Sequence, residues 1–441
     1  MTRNIIKLAL LLTLPMLLFV GCNLDKCKDT QVFTKYTPVY ISFEDLRKDV
    51  SAEAAREMKS PGKMYFYNNY LLINEVREGI HVFDNSDPSN PKPVTFLKIP
   101  GNIDMAVRND ILFADSYTDL IAVNISNILQ PKTTERRQNA FLGFASDPAN
   151  GLIKEYLPTR EKVTIDCNDP NWGRGWFPGS GGIWWGAEDS AGGVLNNVPV
   201  KSTGAGAGTS GSPTNIGTQG SQARFTLFES YLYTVSQGRM VIYDVSSRLT
   251  ELSTLTTWWN TETIFAYGKA LYVGTPNGLI IFDNSNPSLP KQASTVQHIV
   301  GCDPVVVDGN KAYVTIRTGT TCAGTENLLE VIDVSNIYAP IRIAQYNMQN
   351  PHGLSVESNN LYVCEGKFGL KVFDRSNNLT IDKNRLANFT DFHAYDVIAL
   401  PLDYPLKDKK IVMLIGDDGF VQYDATDIKN IRKLSTIKVQ K

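Results

Sequence analysis

A short segment with the pattern of a β-strand that ends in a turn recurs along this chain, and it constrains the fold more than any other feature. In the copy Gly278–Pro287 (GLIIFDNSNP), β-branched and aromatic residues fill Ile280–Phe282, as is typical of strands. Asp283 can then accept a hydrogen bond from the backbone N–H two residues on, and Pro287 fixes a turn dihedral. The other copies begin at Gly79, Thr118, Gly238, Asn327, Gly369 and Gly419.

The spacing of these copies predicts the architecture. The turn-initiating residues are separated by 40, 120, 39, 50, 41 and 50 residues, and they are Asp84, Asn124, Asp244, Asp283, Asp333, Asp374 and Asp424. A repeat of about 40 to 50 residues with four short strands is typical of a propeller blade. We therefore predict an all-β fold, a seven-bladed β-propeller of four-stranded blades. A β-solenoid would have a shorter period, and a sandwich would not repeat seven times.

The repeats resemble those of the LVIVD-repeat family. The segments Val331–Ser335 (VIDVS) and Leu279–Asp283 (LIIFD) carry the resemblance best, which extends over residues 62–440. Gly79–Val82 and Pro100–Asp104 are similar to the LVIVD-type lipoproteins of Gram-negative bacteria. The resemblance implies a cell-surface β-propeller with an undefined ligand, and it brings no catalytic residues with it.

Residues 1–21 have the pattern of a lipoprotein signal peptide. Arg3 and Lys7 give a positive start, and the apolar run Leu8–Val20 is shorter than the about 20 residues that a membrane-spanning helix needs. The run ends at Gly21-Cys22, which resembles a bacterial lipobox with Cys22 as the residue acylated with palmitate-type chains, although Phe19 stands where Leu is usual. An ordinary cleaved signal peptide is the alternative.

This N-terminus predicts a protein attached to the outer membrane through lipid, with the periplasmic and cell-surface leaflets both left open. Residues 22–60 are predicted to be a tether and linker, in which residues 23–36 form a polar tether and Val39–Phe43 a strand. A helix is predicted at Glu44–Lys59, and the propeller is predicted to span residues 61–441.

Composition and cysteine content agree with an exported globular protein. Hydrophobic residues make up 42% of the chain and charged residues 20%, which excludes a disordered chain. Without Arg3 and Lys7, 41 basic residues face 45 acidic ones, so nothing favours a nucleic-acid partner. Cys302 and Cys322 lie at the same end of one predicted blade, and we predict a disulfide between them.

One long insertion, residues 142–221, separates blades two and three. It is rich in Gly and contains a possible strand, Glu161–Asp166, together with Trp172, Trp176, Trp184 and Trp185. Aromatic side chains on a Gly-rich loop are typical of surfaces that bind peptides or sugars. Alternatively, the Trp side chains pack beneath the loop and hold it on the propeller. Because the insertion links a fourth strand to the next first strand, we predict that it hangs over the mouth of the central channel.

Aligning the first strands of the blades places polar residues at the same channel mouth. These residues are Asp104, Arg224, Glu262, Asp303, His352 and Asp396. One hypothesis is that they bind a polar ligand or a hard cation such as calcium, which prefers several oxygen ligands. The alternative is that each carboxylate caps the backbone of a neighbouring blade. The acidic turns lack the Gly and distal Glu of an EF-hand, so we predict no cofactor.

The predicted function is a binding or scaffolding module for a surface protein, peptide or glycan. The alternative is an envelope enzyme of hydrolase or lyase type with a polar site at the channel mouth. The chain has only four His and lacks the Gly-x-Ser-x-Gly, His-Glu-x-x-His and phosphate-loop motifs. A metal or small molecule at the mouth would favour the enzyme, and a flat mouth with exposed Trp would favour binding.

Overall fold

The computed structural model describes part of the chain: residues 28–166, 176–178, 184–187, 218–219, 223–258, 261, 263–275, 277–297, 304–318, 326–402, 404 and 406–440. Its contacts divide the chain into two compact units. The smaller unit comprises Met1–Phe43 with Ala145–Pro199, and the larger unit comprises Glu44–Phe144 with Val200–Lys441.

The described part of the larger unit contains seven antiparallel sheets, numbered 1 to 7 along the chain, each with four strands in sequence order. The strands of sheet 1 are Pro61–Tyr67, Tyr70–Glu75, Gly79–Asp84 and Lys92–Lys98, with Thr218–Gln219 and Ser51–Glu53 added at its two edges. Those of sheet 2 are Met105–Arg108, Ile111–Ser116, Asp119–Asn124 and Lys132–Arg137. Those of sheet 3 are Phe225–Phe228, Tyr231–Ser236, Arg239–Asp244 and Thr250–Thr256.

The remaining four sheets repeat the same order. Sheet 4 contains Thr263–Tyr267, Ala270–Thr275, Gly278–Asp283 and Lys291–Gln297. Sheet 5 contains Val305–Asp308, Lys311–Ile316, Leu328–Asp333 and Ile341–Asn347. Sheet 6 contains Leu354–Glu357, Asn360–Cys364, Leu370–Asp374 and Arg385–Phe389, with a 3-10 turn at Ile381–Lys383. Sheet 7 contains Ala394–Ala399, Ile411–Gly416, Gly419–Asp424 and Arg432–Lys438. The prediction of an all-β fold of four-stranded sheets is thereby confirmed.

The repeated turn forms as predicted in all seven sheets. The side chain that ends each third strand accepts the backbone N–H two residues on, at 2.8–3.0 Å, as Asp283 does from Ser285. This bond satisfies a donor that the sheet leaves unpaired where the chain reverses. The register between third and fourth strands shifts by one residue near this point, for example between Ile281 and Phe282.

Glycine at the start of a third strand is required by close approach of the next strand. Gly278 and Gly369 have φ angles of 154° and 82°, and a Cβ on them would lie 2.4 and 1.7 Å from the carbonyl oxygens of Val296 and Phe389. Only a residue without a side chain fits this space, which explains why the repeats so often begin with Gly.

The hydrophobic core lies between neighbouring sheets. Buried clusters join sheets 1 to 3, sheets 3 and 4, sheets 4 to 6, sheets 6 and 7, and sheets 7 and 1. Each first strand contacts the first strand of the next sheet, and that of sheet 1 also contacts Ile411–Gly416 of sheet 7. The side-chain amides of Asn85 and Gln422 exchange hydrogen bonds of 2.7 and 2.8 Å, which joins the first sheet to the last.

Each sheet has two ends, which carry different connections and which we call the start edge and the turn edge. At the start edge, first strands begin and second strands end, as at Met105 and Ser116 of sheet 2. At the turn edge lie the turns between first and second strands and those between third and fourth strands, such as residues 109–110 and 125–131 of the same sheet.

The smaller unit is a five-stranded antiparallel sheet built on two long strands. Lys28–Ile41 pairs along its whole length with Gly151–Asp166. Trp184–Ala187 pairs with the other side of Lys28–Ile41, and Trp176–Pro178 and Ser146–Asp147 form the edges.

Three local predictions are corrected by these elements. The polar tether predicted at residues 23–36 is a strand from Lys28 onward, because it pairs with Gly151–Asp166. The helix predicted at Glu44–Lys59 is wrong: a helix covers only Phe43–Leu46, and Ser51–Glu53 completes the open edge of sheet 1 by pairing with Phe96–Lys98. The described part of the insertion is also more regular than the predicted loop, since it contains the strand Gly151–Asp166.

Candidate functional site

The described members of the predicted polar set stand at the start edge of their sheets. Asp104 and Arg224 directly precede the first strands of sheets 2 and 3, and His352 lies two residues before that of sheet 6. Asp396 is in the first strand of sheet 7. Lys63 occupies the corresponding place in sheet 1 and belongs to the set, although the sequence analysis did not single it out.

Asp104 is the centre of a buried ionic cluster that joins sheets 1, 2 and 3. Its Oδ2 contacts the ammonium of Lys63 and accepts the backbone N–H of Arg224 at 2.5 Å. Its Oδ1 accepts the N–H of Met105 at 2.8 Å. Burial lowers the pKa of Lys63, and the charge of Asp104 opposes that shift. The predicted alternative, a carboxylate that caps the backbone of a neighbouring sheet, describes Asp104 well.

Asp115, at the end of the second strand of sheet 2, completes this cluster. Its Oδ1 accepts the backbone N–H groups of Ile103 and Asp104 at 2.7 and 2.9 Å. Its Oδ2 lies 3.1 Å from Nη2 of Arg224. Burial raises the pKa of Asp115, while Arg224 and the two amides oppose the rise. Two carboxylates thus face two cations, and the Arg224 side chain keeps 30% of its surface exposed.

Asp396 differs from Asp104 and Asp115, because only one of its carboxylate oxygens has a hydrogen-bond partner. Oδ1 accepts the N–H of Val397 at 2.6 Å, whereas Oδ2 has no hydrogen-bond partner among the described residues. The side chain is fully buried, and burial raises its pKa well above the usual range, with Lys63 opposing the shift.

His352 is also buried with half of its polar atoms paired. Nη1 of Arg317 and Nδ2 of Asn350 lie 3.1 and 3.2 Å from its Nε2. Both are donors, so Nε2 accepts and the ring proton resides on Nδ1. Nδ1 has no partner within the described part of the chain. Burial, with Arg317 and His393 nearby, lowers the pKa of His352 to about 2, so the ring is neutral at pH 7.

A partly exposed polar group stands beside His352. The ring of Tyr395 lies between those of His352 and His393, with centroid distances of 5.0 and 4.7 Å. The Tyr395 hydroxyl donates to Oδ2 of Asp417, and Nδ1 of His393 is 3.3 Å from the same oxygen. Burial and Asp417 raise the pKa of Tyr395. This group offers a hydroxyl, an imidazole and a carboxylate to solvent.

Half of the unpaired buried polar atoms of the described residues lie at the start edge. Within the described residues, six buried side-chain atoms lack a hydrogen-bond partner, and three of these, Asn74 Oδ1, His352 Nδ1 and Asp396 Oδ2, lie at that edge. Buried polar atoms in folded proteins nearly always have partners, because an unmet hydrogen bond costs about 1–3 kcal/mol.

The sequence analysis missed the partners that the second strands supply. Asn74, Asp115, Arg317 and Asp417 all end or follow second strands. A signal was present, since these positions follow the apolar core of each second strand, as in Ile111–Ser116 (ILFADS). In an antiparallel pair, the end of one strand lies beside the start of the other, so polar residues there meet the predicted set.

Several predicted site residues cannot be placed with the others. Glu262, Asp303, Trp172, Cys22 and the predicted pair Cys302 and Cys322 lie outside the described residues. The backbones of Trp176, Trp184 and Trp185 are in strands of the smaller unit. Cys364 is the described cysteine, and it is buried with a free thiol.

Two properties of the described residues bear on ligands. No group of three or more His, Cys, Asp or Glu side chains among them is arranged to hold a metal ion. In the same residues, no helix combines the length and the apolar character needed to cross a membrane.

Comparison with known proteins supports the repeat assignment. The family described as the LVIVD repeat matches residues 260–297, so this chain contains an LVIVD repeat, as the resemblance of its sequence predicted. No curated protein sequence matches the chain.

Solved structures similar to this chain share little sequence with it. The computationally designed Ika8 protein has 8% identity and a TM-score of 0.49, over 89% of this chain and 92% of that chain. Hsv2p of Kluyveromyces lactis has 8% identity and a TM-score of 0.47, over 83% and 93%. BamB from Moraxella catarrhalis has 6% identity and a TM-score of 0.46, over 88% and 96%.

Proposed function

We propose that this chain is a seven-bladed, lipid-anchored β-propeller of the bacterial envelope, and that it acts as a binding module. The seven sheets are its blades, the first strands line a central channel, and the start edge surrounds the channel mouth. The contacts between consecutive first strands, and those between sheets 7 and 1, support this closed arrangement. Cys22 carries the lipid and holds the chain at the outer membrane.

The ligand site that we propose is the channel mouth at sheets 6 and 7. The observation that carries it is the partly exposed group of Tyr395, His393 and Asp417 beside the buried His352. A ligand with hydroxyl and carbonyl or amide groups can exchange hydrogen bonds with this hydroxyl, imidazole and carboxylate. Such groups belong to peptides and glycans, and we propose a surface protein or glycan that presents them as the partner.

The binding module is favoured over an enzyme by the chemistry of the described mouth. A nucleophile needs a base within hydrogen-bond reach. Nε2 of His352 faces two donors, Arg317 and Asn350, and is therefore already occupied as an acceptor. The proposed role of the mouth is recognition through Tyr395 and His393.

Capture of partners from native membranes tests this proposal. The wild type and the variants Tyr395→Phe and His393→Ala are compared, because both side chains are partly exposed and lie beside His352. We expect both variants to lose most of the captured partner. Tyr267→Phe is the matched control, since its hydroxyl bonds the backbone N–H of Gly309 at the turn edge. Equal capture by all four proteins would remove the channel mouth from consideration.

The lipid anchor is tested separately with Cys22→Ser. The apolar run that ends at Gly21-Cys22 motivates the substitution. We expect the variant to leave the membrane fraction, because several acyl chains anchor a protein stably and none remains. An unchanged membrane fraction, with no lipid on the N-terminal peptide of the wild type, would contradict the anchor.

A further inference from the structure

A cleft between the end of sheet 2 and sheet 3 opens to solvent at the start edge. Its volume is about 210 Å³. Residues 140–142, which follow the last strand of sheet 2, form one wall, and sheet 3 forms the other with Thr234, Ser236, Arg239 and Val241. Sites for drug-sized ligands measure about 300–1,000 Å³, so this cleft fits the end group of a ligand.

The polar side of the cleft carries one charge, the guanidinium of Arg239. This side chain is half-buried, and it makes no hydrogen bond or ion pair with the residues that the structure describes. Ser236 lies directly opposite Arg239 in the antiparallel pair, and its hydroxyl also has no partner within the described part of the chain. A guanidinium offers a planar fork of N–H donors and a hydroxyl offers one more, so this side of the cleft presents donors to an anion.

The acidic side chains on the described strands and turns of sheets 2 and 3 do not neutralise this guanidinium. Three of them, Asp110, Glu229 and Asp244, lie at the turn edge, at the other end of the strands. The remaining five already contact other cations. Asp104 contacts Lys63, and the other pairs, at 2.9–3.4 Å, are Asp115 with Arg224, Asp119 with Arg47 and Arg136, Glu135 with Arg248, and Glu251 with Arg137. The cleft therefore carries a net positive charge.

The opposite wall is apolar and held in place. Phe141 stacks on Phe225, with 5.7 Å between ring centroids and 17° between ring planes. Leu142 follows it and keeps 49% of its surface exposed. Gly143 has a φ angle of 87°, and a Cβ there would lie 2.6 Å from Nε2 of Gln237. The apolar wall therefore packs against the turn of the hairpin that carries the guanidinium.

We propose that this cleft binds a carboxylate attached to a small apolar group. The guanidinium of Arg239 and the hydroxyl of Ser236 hold the carboxylate, because an Arg fork matches its two oxygens with parallel N–H···O bonds. The apolar group packs on the exposed Leu142, which removes apolar surface from water. A free small carboxylic acid and the C-terminus of a polypeptide both have this chemistry. The site does not depend on the ligand group proposed at sheets 6 and 7.

Ligand-observed NMR with the purified full chain tests the site. The probe is N-acetylvaline, which joins a carboxylate to an isopropyl group, and N-acetylvalinamide is its neutral counterpart. We expect the wild type to bind the acid and to bind the amide about tenfold more weakly, because the amide cannot form charge-assisted hydrogen bonds to the guanidinium. Arg239→Gln should weaken binding of the acid about tenfold. Arg248→Gln, at an exposed Arg of the same sheet, is the matched control and should bind the acid as the wild type does.

The comparison of acid and amide uses the unchanged protein, so it stays valid if Arg239→Gln folds poorly. Leu142→Ser should weaken binding of N-acetylvaline and leave binding of acetate, which lacks the isopropyl group, as it is. An N-acetylated tetrapeptide that ends in valine separates the two sources. Tighter binding than N-acetylvaline assigns the site to a polypeptide C-terminus, and equal or weaker binding assigns it to a free acid. No saturable binding of N-acetylvaline, equal affinity for acid and amide, or unchanged affinity in Arg239→Gln would overturn the proposal.

Discussion

Buried polar groups at the start edge are fully paired in sheets 1 to 3 but only partly paired in sheets 6 and 7. In sheets 1 to 3, Asp104 and Asp115 are buried among cations and backbone donors, and each carboxylate is paired. In sheets 6 and 7, His352 and Asp396 are equally buried, yet each keeps one polar atom without a partner among the described residues. The buried ionic cluster on the first side therefore holds sheets 1, 2 and 3 together. The second side leaves two buried polar atoms unpaired, beside the group where we propose ligand binding.

The largest expected difference between the two sides concerns stability. We expect Asp104→Ala to lower the free energy of unfolding by about 3–5 kcal/mol, because it leaves the buried ammonium of Lys63 without its main partner. Denaturant titration measures the change. Lys63→Met in the same background should recover part of the loss. A decrease in the free energy of unfolding below about 1 kcal/mol would show that Asp104 does not hold the sheets together.

The second effect concerns acidity and comes from His352. Its pKa is depressed in the folded chain, so between the unfolded value near 6.5 and the folded value near 2 the unfolded chain binds more protons, and stability falls as pH falls. From pH 6.5 to pH 5 this group alone should remove about 2 kcal/mol. His352→Gln should abolish that slope, and His393→Gln should keep it because His352 is still present. An unchanged slope in His352→Gln would contradict the assignment.

A smaller effect of opposite sign is expected at Asp396. Its pKa is raised in the folded chain, so above about pH 4 the unfolded chain binds fewer protons, and stability falls as pH rises. Asp396→Asn removes the ionisable group at nearly constant shape. We expect it to stabilise the protein at pH 7 by about 1 kcal/mol, as measured by chemical denaturation. Destabilisation of similar size would mean that the carboxylate has a partner, and the two sides would then be alike.

The smallest stability effect is expected where function is proposed. Tyr395→Phe removes one hydrogen bond to the exposed Asp417, and thermal unfolding should report a loss of less than about 1.5 kcal/mol. Partner capture should nevertheless fall strongly. A large loss of stability would show that Tyr395, like Asp104, has a structural role.

The repeat made most of the strands predictable. The turn at Asp283 and its six counterparts has a local cause, because an Asp or Asn side chain bonds a backbone N–H only two residues away. Asp104 and Arg224 were also found from the sequence, since the alignment of first strands carries them to the same edge. Lys63 and Asp115 were missed as partners of Asp104, and Arg317 as a partner of His352, because those contacts join residues at least 11 positions apart.

The sequence by itself determined the recurring third strand, the residues that turn the chain after it, and that this pattern repeats seven times. These features depend on backbone dihedrals and on hydrogen bonds within a few residues. Only the tertiary structure decided that Lys28–Ile41 pairs with Gly151–Asp166, and that Asp104 is paired whereas Asp396 is not. Strand partners more than 100 residues apart, and the local burial that sets the cost of an unpaired charge, arise from packing, which no local periodicity encodes.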